Sequence, residues 1–200
     1  MIIVDCVQNT EEWFQARLGV PTASEFNKIV KADGTRSDQR KKYLWQKAGE
    51  AITKTVEETY QSQSMLRGQL VEEEARSYYS FIKNVDVQKV GFCLNCLPYP
   101  HGCSPDGLVG DDGMVQIKCP TLAVHVGYLL AGKLPTDYFQ QVQGELLVTG
   151  RQWCDFVSYY PNMNALLIRI YPDPIFTELL SVELESFGKE LKETIIKLRS

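Results

Sequence analysis

The sequence predicts an α/β protein in which a mixed central sheet is flanked by helices. Three observations carry this. Leu108-Val109 and Met114-Val115-Gln116-Ile117 alternate as strands do on either side of Asp111-Asp112-Gly113, a turn sequence, so the stretch reads as a β-hairpin. The runs 153–160 and 165–171 are apolar enough to be interior strands. Between and around them lie segments with helical spacing, among them an amphipathic run over 174–198.

Taken in order, Thr10 is placed to cap a helix that enters at Glu11-Glu12-Trp13-Phe14 and stops at Gly19. Thr22 or Ser24 then caps a second, through Glu25, Phe26, Ile29 and Val30. A long helix is expected over 39–53, where Tyr43, Leu44, Ala48, Ala51 and Ile52 recur at helical spacing. Residues 55–64 are polar and read as a mobile loop, and a further helix over 66–81 carries Arg67, Gly68, Glu72, Glu73, Glu74 and Arg76. Consecutive acids on a helix face different ways, so at most two of these three reach one site. Residues 85–94 add a strand to the hairpin, and Pro120-Thr121-Leu122 opens a helix to Ala131. The helix over 136–148 bears Tyr138, Gln140, Gln141, Gln143 and Glu145 on its polar side, although Gln141 and Gln143, two apart, cannot share a face.

A chain of 200 residues with 44% apolar content suits a single domain, 1–200. No apolar run approaches the roughly 18 residues needed to cross a bilayer, and the start lacks the regions of a secretory signal, so a soluble, intracellular protein is expected. The six cysteines then read as reduced thiols rather than a disulfide framework. Cys93-Leu94-Asn95-Cys96, with Cys103 and Cys119, invites a zinc reading, but small buried side chains are the plainer one. A net charge of −4 counts against a simple DNA-coating protein, yet leaves room for local basic features. One such stretch holds Lys31, Arg36, Arg40, Lys41, Lys42 and Lys47, and is read as a solvated face until something ties it to a site.

The hairpin carries the chemistry. Pairing its strands brings Asp106 and Lys118 together, with Gln116 and Lys118 on one face and Val115 and Ile117 turned into a core. An oxygen ligand for Mg²⁺ with a nearby lysine to orient water and offset phosphate charge is the layout of metal-assisted phosphodiester hydrolysis. Upstream, Arg17 with the hydroxyls of Thr22 and Ser24 at a helix start makes a natural phosphate seat, or else an ordinary cap and a surface arginine. A Ser/His/Asp or Cys/His mechanism is disfavoured, since His101 and His125 sit in no recognisable motif.

Pro105-Asp106 followed by Gln116-Ile117-Lys118 resembles the PD-(D/E)xK nuclease signature, with an amide where the second acid is expected. Either this is a native departure, or an acid has been replaced to give an inactive form. Trp13-Phe14-Gln15-Ala16-Arg17-Leu18-Gly19-Val20-Pro21-Thr22-Ala23-Ser24 is similar to the N-terminal motif of the phage lambda exonuclease family, the YqaJ-type viral recombinase nucleases. Cys103 to Leu108, Ile117-Lys118-Cys119-Pro120 and Gln141-Val142-Gln143 follow in that family's order.

The resemblance implies a restriction-endonuclease-like core and a Mg²⁺-dependent 5′-to-3′ exonuclease that acts on linear duplex DNA and leaves 3′ overhangs for recombination. It implies Asp106, Glu72, Gln116 and the Ile117 carbonyl as ligands of one or two Mg²⁺ ions, for which Mn²⁺ substitutes, and Lys118 as the lysine that orients water. Glu72 follows from the Gly68-x-x-x-Glu72 pattern. It implies Arg17, Thr22, Ser24 and, less directly, Arg36 at the terminal 5′ phosphate. Ser104 and Gln143 fall beside the scissile bond, and Met65 is the apolar wedge between strands. A ring-shaped homotrimer, a single-strand annealing protein as partner and the cytoplasm of a bacterial host, from a phage or prophage, are implied as well. Two other readings stay open: a catalytically silent DNA-end-binding protein, and an endonuclease of the same fold.

Overall fold

The computed structural model describes residues 1–55 and 63–200, apart from the side chains of residues 63–66 and 69. In chain order the elements are β1 (Ile2–Val4), α1 (Glu11–Arg17), a 3-10 helix (Ala23–Lys28), α2 (Arg40–Thr53), α3 (Gln63–Lys83), β2 (Val87–Gln88), β3 (Phe92–Asn95) and β4 (His101–Cys103). There follow β5 (Gly107–Val109), β6 (Gly113–Lys118), α4 (Leu122–Ala131), a 3-10 turn (Thr136–Tyr138), α5 (Phe139–Thr149), β7 (Trp153–Ser158), β8 (Leu166–Ile170) and α6 (Pro174–Arg199).

The β5–β6 hairpin pairs Gly107 with Val115 and Val109 with Gly113 across its turn. It sits inside a five-stranded sheet of order β2-β5-β6-β7-β8, in which β6 and β7 run parallel and the other neighbours antiparallel. The sheet is therefore mixed, as expected. A parallel pair needs a crossover, and α4 and α5 supply it. A second, antiparallel sheet of order β1-β3-β4 lies on the other side of α5 from β7, with α5 touching both.

Alternation along β6 divides the core. Val115 and Ile117 pack on one face with Val157, Tyr159 and, from α3, Ala75 and Tyr79. Met114 goes to the opposite face with Phe156, Leu108, the α5 residues Val142 and Leu146, and Phe26, Tyr43 and Phe187. Burying each such side chain contributes roughly 1.5–3 kcal/mol relative to exposure. Gln116 and Lys118 follow Met114's parity, so they meet α5 rather than α3. The approach of α5 to the 3-10 helix is close because residue 144 is glycine; a Cβ there would stand 2.4 Å from the Phe26 ring.

Several expectations change. Residues 85–94 split into β2 and β3, which join different sheets, and β1 and β4 are additional strands. Instead of a second α-helix, residues 23–28 form a 3-10 helix without a side-chain cap bond, because the Thr22 hydroxyl turns to Arg17 and Ser24 and its N–H to the Tyr43 hydroxyl. Of the polar stretch 55–64, residues 56–62 lie outside the described residues, and Gln63 and Ser64 already belong to α3. The basic stretch is not merely solvated: Arg36 pairs with Glu183 at 2.8 Å and Arg40 with Glu190 at 2.6 Å, clamping the start of α2 to α6. All six cysteines are free, and the zinc set does not assemble, since no three His, Cys, Asp or Glu side chains gather into a metal-holding group among the described residues. No helix among them is long and apolar enough to cross a membrane.

Candidate active site

The open end of the hairpin is the focus of the site. With Gly107 opposite Val115, Asp106 falls at the level of Gln116, one step beyond the last ladder pair. Its Oδ2 accepts from Gln116 Nε2 and from the Ile117 N–H, each at 2.6 Å. Asp106 is 9% exposed. Burial pushes its pKa up to about 7, against the pull of Lys118 and with a further push from Glu72. Gln116 is 2% exposed, and its Oε1 has no hydrogen-bond partner among the described residues. Lys118 lies two residues on, its ammonium 5.0 Å from the centre of the Tyr138 ring.

The N-terminal segment closes the opposite wall. The Thr10 hydroxyl accepts from Trp13 N and starts α1, which carries Trp13 and Arg17 to the site. Arg17 stacks 3.9 Å from the Trp13 ring centre and donates to Ser104 Oγ at 3.3 Å and Thr22 Oγ1 at 3.5 Å. Trp13 Nε1 donates to the same Ser104 oxygen at 2.9 Å, and the Thr22 and Ser24 hydroxyls are 3.3 Å apart. Burial lowers the Arg17 pKa from its ordinary value. A cavity of about 180 Å³ is lined by Trp13, Arg17, Thr22, Ser24 and Ser104 together with Asp106, Gln116 and Lys118. Residues that lie some ninety positions apart in the sequence thus share one wall-to-wall cleft.

A larger cleft, about 580 Å³, opens on the other side of Asp106 and holds Glu72, Glu73 and Arg76. Of the three consecutive acids of α3, Glu72 and Glu73 share Arg76 and Glu74 turns elsewhere. Glu72 accepts from Arg76 at 2.5 Å, Glu73 pairs with Arg76 and with Lys89, and Glu74 accepts from the Tyr159 hydroxyl at 2.6 Å. Arg76 also donates to the Asp106 carbonyl at 3.0 Å, which ties α3 to the hairpin end. Glu72 is therefore brought beside Asp106, already neutralised by an arginine.

Two expected residues stand elsewhere, and the side chain of a third is outside the described residues. Gln143 is buried with its amide committed to the main chain, donating to the Tyr171 carbonyl at 3.0 Å and accepting from Asp173 N at 2.7 Å, so it fastens the β8–α6 connection rather than facing the cleft. Arg36 is held against Glu183 and Ser186. Met65 falls in the first turn of α3, and its side chain lies outside the described residues.

What α5 does give the cleft is Gln141 and Glu145. They are one turn apart, and Gln141 Nε2 donates to Glu145 Oε1 at 2.8 Å. Glu145 is 1% exposed, and burial raises its pKa to about 8, with Gln141 pulling down and Asp106 pushing up. The i, i+4 spacing was the available signal for this pair, since it excludes Gln143 from their face.

The donor set suits a hard divalent cation. It is all oxygen: the Asp106 and Glu72 carboxylates, which share the larger cleft, and Gln116 Oε1, a buried acceptor with no partner among the described residues. Ile117 enters through its N–H.

A family model, the YqaJ-like viral recombinase domain, matches residues 12–152. Among solved structures, the alkaline exonuclease LHK-Exo from Laribacter hongkongensis superposes with a TM-score of 0.86 at 35% identity, over 95% of this chain and 96% of that one. LHK-Exo in complex with dAMP gives a TM-score of 0.86 at 34% identity, over 95% and 96%. A phage-related exonuclease from Haemophilus somnus 129PT shares the fold, with a TM-score of 0.68 at 14% identity over 90% and 96%. No curated protein matches. The signature at the hairpin end, the N-terminal motif facing it and a match over most of the chain agree: the chain belongs to the YqaJ-like viral recombinase family, the nucleases like lambda exonuclease.

Proposed function

We propose that this protein is a Mg²⁺-dependent exonuclease that degrades one strand of linear duplex DNA from its 5′ end and leaves a 3′ overhang for recombination. The observation that carries the reading is that Asp106 and Lys118 line one cavity with Arg17, Thr22, Ser24 and Ser104. That arrangement sets a lysine and an acid a short distance from a basic, hydroxyl-rich seat. The relative crystallised with dAMP, a nucleoside monophosphate, supports a mononucleotide product.

In this reading Asp106, Glu72, Gln116 Oε1 and the Ile117 carbonyl hold one or two Mg²⁺ ions, Mn²⁺ substituting. When bound, the metal supplies Lewis acidity, acidifying water and offsetting charge on the leaving oxygen. Lys118 holds the attacking water by a hydrogen bond and places positive charge beside the phosphate. Arg17, with Thr22, Ser24 and Ser104, grips the terminal 5′ phosphate, a planar fork of donors meeting tetrahedral oxygens. A ring-shaped homotrimer that encloses the duplex, a single-strand annealing protein that takes the overhang, and the cytoplasm of a phage's bacterial host complete the reading.

The experiment is digestion of 5′-phosphorylated and 5′-hydroxyl linear duplexes and a closed circle, with Mg²⁺ and with chelator. Mg²⁺-dependent release of mononucleotides, faster from the phosphorylated end and absent from the circle, is expected. Equal rates on the two ends would remove the phosphate seat, and cutting of the circle would make the protein an endonuclease. Gln116 favours one second reading, an end-binding protein that does not cut. It predicts tight retention of linear duplex without digestion, both before and after Gln116→Glu, whereas digestion gained by Gln116→Glu would mark a nuclease blocked at that position.

A further inference from the structure

We propose that Glu145, on α5, supplies the second carboxylate of the cation site and so replaces the acid that position 116 lacks; this rests on the nuclease reading above. Gln116 lies on β6 and Glu145 on the helix that covers the same strand face, and both line the cavity with Asp106 and Lys118. The acid reaches the site from the facing helix instead of from the strand.

Two independent features point to a ligand there. Glu145 uses one oxygen on Gln141, while its Oε2 is buried and has no partner among the described residues. The same holds of Gln116 Oε1, on a residue that lines the same cavity. Buried acceptors are nearly always satisfied, and an orphaned amide oxygen and an orphaned carboxylate oxygen, on residues that line one cavity with the Asp106 carboxylate, are the pattern a dication resolves. An amide oxygen binds such an ion as a neutral dipole and leaves Asp106 as the one anion on this side of the hairpin end. Glu72, the other candidate, already faces Arg76. Glu145 makes no salt bridge among the described residues: Gln141 is its hydrogen-bond partner, and Lys118 and Asp106 are the charged neighbours that share its cavity.

The test is calorimetric titration of Mn²⁺ into the full chain, its Glu145→Gln and Gln116→Glu variants and the double variant, with circular dichroism to establish folding. Glu145→Gln is expected to weaken Mn²⁺ binding by about tenfold or more. Gln116→Glu combined with Glu145→Gln is expected to restore it, because the strand then carries the acid. If the amide fails to fold, Glu145→Asp, which keeps the charge on a shorter stem, is expected to bind Mn²⁺ several-fold more weakly than the parent. Unchanged Mn²⁺ affinity in a folded Glu145→Gln or Glu145→Asp protein would overturn the proposal while leaving the nuclease reading intact. A parent chain that neither binds Mn²⁺ nor digests DNA ends with Mg²⁺ would overturn both.

Discussion

Restoring an acid at position 116 is expected to make the metal-free protein more sensitive to alkali, by an amount the geometry sets. Gln116 Nε2 donates to Asp106 Oδ2 at 2.6 Å, so a glutamate of the same shape brings two carboxyl groups to that separation. At an effective dielectric of about 20, two full charges that close repel by about 6 kcal/mol. Holding a proton instead costs about 1.4 kcal/mol for each pH unit above an acid's ordinary pKa, so the pair keeps one proton well above neutrality. A carboxyl whose pKa is higher folded than unfolded binds more protons in the native state, and stability falls as pH rises from the unfolded pKa through the folded one. The parent already follows this course, because Asp106 is pushed up to about 7. Between pH 5.5 and 8.5 the parent is expected to lose about 2 kcal/mol through this group, and Gln116→Glu about 2 kcal/mol more. For a chain of this size the excess is a fall in Tm of about 4–8 °C. Thermal unfolding of both proteins at the two pH values in chelator reads it directly. Saturating Mg²⁺ should close most of the gap, since a ligand at a hundred times its Kd returns about 2.7 kcal/mol. Parallel pH slopes in the two metal-free proteins would refute the carboxyl pair, and with it the register that sets Asp106 against residue 116.

Arg17→Ala is expected to bring the digestion rates of 5′-phosphorylated and 5′-hydroxyl ends together, in a gel assay on matched duplexes, because the arginine donates to both Thr22 and Ser104. Gly144→Ala should destabilise by about 1–3 kcal/mol, as its Cβ would meet the Phe26 ring at 2.4 Å, whereas Gly127→Ala in α4, with open space at its Cβ, should stabilise by about 0.5–1 kcal/mol in urea unfolding. Arg169→Ala should cost about 1–3 kcal/mol by the same measurement, because it strips a bidentate partner, at 2.8 and 2.9 Å, from the 2%-exposed Asp155 and leaves only the Tyr79 hydroxyl.

The hairpin, the helix over 122–131 and the long final helix were legible in the sequence because their signals are local. A turn tripeptide between alternating residues, a Pro-Thr start and a 3.6-residue apolar period need no knowledge of the rest of the chain. The three-stranded sheet was not legible. β4 is His101-Gly102-Cys103, all buried and without alternation, and it is a strand because β3 pairs with it and the Pro21 carbonyl accepts from Gly102 N. In the site, Asp106, Lys118, Arg17, Thr22, Ser24 and Ser104 do meet, whereas Gln143 does not. Position in a motif pointed to Gln143, but helical geometry gives its face to the β8–α6 connection and turns Gln141 and Glu145 to the cleft. The fate of Arg36 depends on Glu183, about 150 positions away, which no local pattern reveals.

A net charge of −4 and a polyanionic substrate are reconciled by where the cations are left over. Lys31 is matched by Asp38, Arg36 and Arg40 by acids of α6, and Lys47 by Glu50 at 2.9 Å, so of the most basic stretch of sequence only Lys41 and Lys42 lack a salt bridge among the described residues. Arg17 and Lys118 remain at the cleft, each packed against an aromatic ring. At physiological salt, charges more than about 8 Å apart in water are largely screened, so the acidic body of the protein opposes an approaching duplex only weakly. Inside the cleft the balance reverses. An effective dielectric of about 20 rather than 80 makes a phosphate contact about four times stronger, and two half-buried cations outweigh many exposed ones. In the proposed reading a terminal phosphate would reach Arg17 between Ser104 and Thr22, whereas the continuous backbone of a closed duplex would have a recess of about 180 Å³ to bridge over. The proposed preference for an end would therefore rest on concentrating few charges in a narrow place, and a uniformly basic surface would lose it.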